Sequence, residues 1–242
     1  MKWVRDTTGR FQKRPHYSPE ELDAECEKIV TDFLVQKHGR AVFPLSTNDL
    51  TCLLERDIKS LDLYADFSEE EGQVEGVTEF RLGQKPVVKI AARLTETPNL
   101  ENRLRTTLTH EYGHVRFHNF LYQVEEKTTS LFENLHAHAV PTQQANRCNR
   151  DSMVSLDDRD WMEWQAGFVC GAMLAPITLL LELVRNSRQK LNMEHATIPS
   201  QSREGLQIIA EVAQSFQTSK DAARVRLLQK KILSSDTIQS LF

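Results

Sequence analysis

The stretch that decides the fold is THEYGHVRFH, residues 109–118. It places His110 and His114 four positions apart, with Glu111 directly after the first histidine. Residues four apart lie on one face of an α-helix, so the two imidazoles can bind one metal ion. Glu111 lies about 100° around the helix from His110, which suits a general base better than a third ligand. The pattern predicts the HExxH helix of a zinc peptidase, and the alternative is a polar helix face with a hydrogen-bonded histidine pair.

A catalytic zinc needs a third protein ligand and one open position for water. Glu163 is the strongest candidate, because it begins the most apolar helical stretch of the chain and a carboxylate there needs a partner. The alternative is a first-turn glutamate that the helix dipole favours. The competing candidate ligands are His118, His136, His138 and Cys148. His118 is also a candidate for orienting a ligand or for packing, and Cys148 for a second, structural metal site.

Helical patterns lie on both sides of the motif. Residues 18–39 predict a helix that Ser18 caps. The motif itself belongs to a helix predicted over residues 97–120. Residues 161–187 predict a strongly apolar helical stretch, which Pro176 is expected to divide into two helices.

The remaining segments complete a prediction of an α+β fold. Residues 60–94 alternate and are rich in β-branched side chains, which predicts a small, mainly antiparallel sheet against the HExxH helix. Residues 119–160 are polar and weakly patterned, so a long insertion is expected there. Residues 202–233 predict two helices that meet at Thr218-Ser219, where Ser219 can cap the second helix.

Composition limits the classes of function. The net charge of −4 argues against a molecule that binds nucleic acid over its whole surface. Residues 1–18 are locally basic, as a solvated arm or a DNA-contacting arm would be. Neither a signal peptide nor an apolar run of membrane-spanning length is evident, and the four cysteines form no close pair. A cytoplasmic protein with reduced thiols and no membrane partner is therefore expected.

Two motifs together carry a resemblance to a known family. HEYGH followed by EWQAGFVCGAMLAP resembles the ImmA/IrrE family of bacterial metallopeptidases, whose second motif is similar to ExxANxFAxxLLMP. The positions that match this second motif are Glu163, Ala166, Leu174 and Pro176, and those that depart from it are Gly167, Val169 and Ala175. The gap from His114 to Glu163, 163 − 114 = 49 positions, is long for the family.

The resemblance implies a zincin-like (minimal gluzincin) core and one zinc ion (Zn2+) per chain. His110, His114 and Glu163 would be its ligands and Glu111 the general base. It further implies a substrate that is a separate helix-turn-helix repressor, cleaved to relieve repression in a mobile element, prophage or stress response. The end of the chain resembles the family's helix-turn-helix-like segment. The candidates for oxyanion stabilisation are Tyr112, His118, His136 and His138.

These expectations divide the chain into a basic arm (1–18), a metallopeptidase domain (19–185) with an insertion at about 119–160, and a C-terminal helical segment (186–242). The rival hypothesis is a DNA- or protein-binding regulator with a non-catalytic zinc site. Its DNA contacts would come from the arm and from basic residues of the C-terminal helices, namely Lys220, Arg224, Arg226, Lys230 and Lys231.

Overall fold

The structure, a computed structural model, describes residues 1–70, 73–129, 143–149, 160–194 and 197–235. The strands among these residues are β1 (Lys2–Arg5), β2 (Lys13–His16), β3 (Ser60–Ala65), β4 (Val74–Arg81), β5 (Val87–Ala91) and β6 (Gln143–Asn149). The α-helices are α1 (Pro19–His38), α2 (Thr47–Glu55), α3 (Ala92–Glu96), α4 (Glu101–Thr129), α5 (Trp161–Leu174), α6 (Ile177–Lys190), α7 (Arg203–Ser215) and α8 (Lys220–Gln229). This content confirms the predicted α+β fold.

The larger sheet has the strand order β3-β5-β4-β6. β4 is antiparallel to both neighbours, with Gly76 opposite Ile90 of β5, whereas β3 runs parallel to β5. The predicted sheet is thus present and mainly antiparallel. Its β4–β5 connection turns at Gly83, whose positive φ of 66° is one that glycine adopts without strain.

The segment predicted as an insertion, residues 119–160, contains regular structure in its described parts. The HExxH helix α4 continues to Thr129, and residues 143–149 form the strand β6 beside β4. The polar sequence of β6 gave no strand signal, because pairing through the backbone does not require apolar alternation. The rest of the predicted insertion lies outside the described residues.

Helix α4 packs between the sheet and α5. Its Leu104, Leu108 and Val115 are buried in the main core, together with apolar residues of α1, α2 and α5. The approach of α4 to α5 is close at Gly113, where a β-carbon would lie 3.0 Å from Cα of Ala166. A glycine inside the HExxH motif therefore brings the two helices into backbone contact.

The C-terminal helices form a second apolar cluster. Leu180 and Val184 of α6 pack there with residues of α7 and α8, so the domain boundary predicted at 185/186 falls inside α6. Pro176 separates α5 from α6 as predicted, and the two helices are bent by 64°. In the described part of the chain, no single helix is long and apolar enough to cross a membrane. The bent pair of α5 and α6 meets the length and composition criteria only when the two helices are taken together.

The first 18 residues form an ordered hairpin rather than a solvated arm. β1 and β2 pair antiparallel, with Trp3 opposite Pro15. Phe11, between the strands, is buried against Tyr122 and Trp161 at ring-centroid distances of 5.4 and 6.4 Å. The burial of Phe11 accounts for this packing, because burying an aromatic ring is favourable even within a basic segment.

Candidate metal centre

Three side chains converge between α4 and α5. Nε2 of His110 lies 3.2 Å from Oε2 of Glu163, and Nε2 of His114 lies 3.2 Å from Oε1 of the same carboxylate. The two Nε2 atoms are 3.1 Å apart. These are the three residues that the sequence predicted as metal ligands, and their candidate ligand atoms all lie within 4.8 Å of one another.

Local sequence explains how Glu163 reaches the two histidines. Asp160 caps α5, accepting a hydrogen bond from the backbone N–H of Met162 at 3.0 Å, so Glu163 falls in the first turn. The contact of Gly113 with Ala166 holds that turn against α4. The 48 residues between His114 and Glu163 therefore do not prevent the contact, since it depends on helix packing and not on the length of the connection.

Burial and nearby charges shift the pKa values at this cluster in opposite directions. Burial alone would raise the pKa of Glu163, but the charge of His114 and hydrogen bonds from both histidines outweigh it, and the pKa is lowered far below its usual value. For His114, burial lowers the pKa, and the carboxylate of Glu163 reverses this, so the pKa is raised. Glu163 is thus held as a carboxylate between two nearly inaccessible imidazoles.

The donor set fits a metal ion. Ligands bound at about 2.0–2.1 Å to a tetrahedral ion lie roughly 3.3–3.4 Å apart, close to the separations of 3.1 and 3.2 Å found here. Two imidazole nitrogens and a carboxylate oxygen are donors that suit first-row divalent ions. The His110, His114 and Glu163 group can therefore hold a metal ion.

Glu111 points from α4 to the sheet. Oγ1 of Thr78 on β4 donates a hydrogen bond to Oε2 of Glu111 at 2.5 Å. Oε1 of Glu111 is buried and has no hydrogen-bond partner among the described residues. Burial raises the pKa of Glu111, although the two histidines and the Thr78 hydrogen bond counteract it. A carboxyl group of this kind accepts a proton more readily than an exposed glutamate.

Gly76 makes room for Glu111. A β-carbon at Gly76 would lie 2.9 Å from Cδ of Glu111 and 2.9 Å from Cγ2 of Thr107, both closer than real contacts allow. The sheet therefore touches the carboxylate through a position that has no side chain. Sequence reasoning missed Gly76 and Thr78, because the register of β4 against α4 leaves no local signal in the sequence.

His118 lies behind His114. The Nδ1 atoms of the two rings are 3.0 Å apart, and Nε2 of His118 is 3.1 Å from Oε1 of Gln165. Burial and the neighbouring His114 lower the pKa of His118 well below its usual value. His118 is therefore a neutral neighbour of a candidate ligand, and Gln165 is a further residue that the sequence analysis missed.

The other predicted site residues have different outcomes. The prediction of Tyr112 as an oxyanion donor is wrong, because its side chain lies in the main core and its hydroxyl donates to Asp57 at 3.3 Å. His136 and His138 lie outside the described residues. Cys148 is on β6, opposite Gly76, and only its backbone is described.

Several basic residues assigned to a DNA surface have partners within the protein. Arg10 pairs with Asp160. Arg14 lies over the ring of Trp161, 5.2 Å from its centroid. Arg226 is only 1 % exposed and bonds to a buried aspartate. DNA contact by the exposed remainder stays a prediction.

Comparison with family models and curated sequences found no match. No model of a known protein family matches the chain, and no curated protein has a matching sequence. The geometry of the metal centre is therefore the basis for any functional conclusion.

Proposed function

We propose that this protein is a zinc-dependent endopeptidase of the ImmA/IrrE type, with a zincin-like core. The observation that carries the proposal is the convergence of His110, His114 and Glu163, with Glu111 buried on the same helix as the two histidines. A structural zinc site would normally be closed by four protein ligands, whereas three described donors converge here. Three ligands leave a position for water, which hydrolysis requires.

Bound zinc would supply Lewis acidity, polarising a peptide carbonyl and lowering the pKa of a water molecule. Glu111 would do the proton transfer. Its partnerless Oε1 accepts a proton from the attacking water and returns it to the nitrogen of the leaving amine, while Thr78 holds Oε2 in place. The products are a carboxylic acid and an amine, so one water is consumed for each peptide bond broken.

The protein environment supports this role for Glu111. Complete burial raises the pKa of Glu111, which makes its carboxylate a stronger base than that of an exposed glutamate. The carboxylate of Glu163 is also partly exposed, at 20 % of its side chain, which gives the cluster contact with solvent. Water and substrate would therefore approach from the side of Glu163.

An extended substrate would pair with the edge of the sheet. Among the described strands, β6 forms the edge next to β4, the strand that carries Thr78. Backbone pairing at such an edge holds a peptide independently of most of its side chains. The substrate class that the family resemblance suggests is a separate helix-turn-helix repressor, present in the same cytoplasm.

The experiment is cleavage of a mixed-sequence peptide library by the zinc-loaded protein, read by mass spectrometry as new amino termini. The parent should generate them, and Glu111→Gln should reduce the rate by roughly 10²–10⁴-fold while retaining zinc. Asp32→Asn, an exposed change on α1, is the matched control for handling and should cleave as the parent does. Cleavage by Glu111→Gln at the parental rate would refute the proposal, and loss of zinc from that variant would make Glu111 a ligand instead.

A further inference from the structure

A chain of hydrogen bonds connects the candidate metal centre to the N-terminal hairpin. It begins at His114, passes through His118 and Gln165, and ends at the backbone carbonyl of Pro15 in β2. The heavy-atom distances along it are 3.0, 3.1 and 3.1 Å. The three side chains are at most 1 % exposed, so water cannot replace these bonds.

The carbonyl of Pro15 determines which atom donates in each hydrogen bond of this series. A backbone carbonyl can only accept, so the contact at Pro15 must come from the Nε2 amide group of Gln165. The amide oxygen of Gln165 therefore faces His118, and Nε2 of His118 must carry the hydrogen. Turning the amide over would oppose two carbonyl oxygens at Pro15.

The tautomer of His118 then decides which ring donates in its hydrogen bond with His114. A neutral His118 with its hydrogen on Nε2 has an accepting Nδ1, so Nδ1 of His114 must donate to it. A His114 that donates from Nδ1 keeps Nε2 for the metal ion, which would replace the hydrogen that Nε2 shares with Glu163 in the metal-free protein. This is the tautomer in which the imidazole can bind a metal.

The hairpin is held firmly enough to act as the anchor. Arg10 pairs with Asp160, the residue that caps α5. Arg14 lies over Trp161, and Phe11 packs against the same ring. The hairpin therefore contacts the start of α5 at several positions in the turn that also carries the candidate ligand Glu163.

We propose that Gln165 is a positioning residue that, anchored by the carbonyl of Pro15, fixes the tautomers of His118 and His114 for metal binding. The inference rests on the proposed zinc site and extends it. It gives the N-terminal hairpin a role in metal affinity, although no residue of the hairpin lies among the candidate ligands.

The test uses full-length protein with ¹⁵N-labelled histidine. In the metal-free parent, long-range ¹H–¹⁵N spectra should show His118 with its hydrogen on Nε2. Gln165→Met keeps the length of the side chain but offers no comparable acceptor, so this tautomer should no longer be fixed. Zinc affinity, measured by competition with a chelator, should fall roughly 10- to 100-fold.

Two variants separate positioning from general destabilisation. Gln165→Glu retains an acceptor for His118, so it should keep the Nε2–H tautomer and bind zinc more tightly than Gln165→Met. Thr109→Val removes other buried hydrogen bonds, one within α4 to the carbonyl of Arg105 and one to Cys170 of α5, and its zinc affinity should stay within about threefold of the parent. Urea unfolding of each metal-free variant reports its stability.

The inference is overturned if His118 carries its hydrogen on Nδ1 in the parent, or if Gln165→Met binds zinc as tightly as the parent. It is also overturned if Thr109→Val weakens zinc binding as much as Gln165→Met at equal loss of stability. A parent that binds no zinc would contradict the proposed function, and the tautomer of His118 would still decide whether Gln165 sets it.

Discussion

At the scale of single residues, the site consists of polar side chains that are shielded from solvent. His110, Glu111 and His114 are all 0 % exposed, and each must find a partner inside the protein because buried polar groups without one are costly. The carboxylate of Glu163 contacts both histidines, and the hydroxyl of Thr78 donates a hydrogen bond to Glu111. Each partner also changes the chemistry of the group that it contacts.

Thr78 provides a pH test of the role of Glu111. Burial raises the pKa of Glu111, and the hydrogen bond from Thr78 lowers it by stabilising the carboxylate. Thr78→Val removes that bond, so the pKa should rise further. Since a base works only when deprotonated, the acid limb of the pH–rate profile of cleavage should move to higher pH, by roughly one unit for a charged hydrogen bond.

Thr106→Val is the control for this prediction. Thr106 of α4 is a buried threonine like Thr78, but its hydroxyl donates to the backbone carbonyl of Asn102 and not to Glu111. Its pH–rate profile should match that of the parent. An acid limb in Thr78→Val that stays in place or moves to lower pH would exclude Glu111 as the group that controls it.

At the scale of elements, the metal centre depends on how closely α4 and α5 approach. Gly113 of α4 and Gly171 of α5 differ in what faces them. Gly113 meets the backbone of Ala166, which cannot move without the helix, whereas Gly171 meets the side chain of Arg226 at 3.1 Å. The position of Glu163 relative to α4 is thus fixed more strictly by Gly113.

Gly113→Ala should therefore separate the helices. The added methyl group would meet Cα of Ala166 at 3.0 Å, and we expect an unfolding free energy lower by about 1–3 kcal/mol, partly offset by about 1 kcal/mol of helix propensity. Zinc affinity should fall as well, because Glu163 moves away from the histidines. Urea unfolding and chelator competition measure the two effects.

Gly171→Ala gains the same helix propensity, and its added methyl group would meet Cδ of Arg226 on α8 and not α4. It should therefore bind zinc like the parent. Equal zinc affinity in both variants would mean that the close approach at Gly113 does not position Glu163.

Elements with local signals were predicted well, and elements that depend on pairing were not. Ser18 and Ser219 cap α1 and α8 as predicted, since a cap is a contact between residues three apart. The three ligand candidates were also predictable, because helical spacing places the histidines and an apolar helix needs a partner for its carboxylate. The hairpin and β6 were missed because their stability comes from distant residues, and the Gln165 contact for the same reason.

At the scale of the whole molecule, buried charges join the C-terminal helices to the metal-binding part. Arg226 of α8 bonds to Asp23 of α1 at 2.5 Å and to the carbonyl of Ala175 at 3.3 Å. Lys230 reaches the other oxygen of Asp23 at 2.7 Å. One carboxylate thus pairs with two cations of the C-terminal segment, so α8 is expected to unfold together with α1.

Asp23→Asn should show this coupling. It removes the negative charge and leaves Arg226 and Lys230 without a counter-ion, and breaking a buried pair in this way costs about 3–5 kcal/mol. We expect urea unfolding to remain one cooperative transition at a much lower urea concentration. Asp32→Asn, whose exposed carboxylate pairs with Lys28 on the same helix, should leave the transition unchanged. A separate early transition in the parent would show instead that the C-terminal helices fold independently.

The measurement that tests the central claim most directly is the zinc content of the purified protein beside Glu163→Ala, determined by elemental analysis. We predict about one zinc per chain in the parent and much less in the variant, because His110 and His114 alone leave the ion with two protein ligands. No zinc in the parent, or full retention of zinc without Glu163, would contradict the three-ligand site on which the proposed peptidase depends.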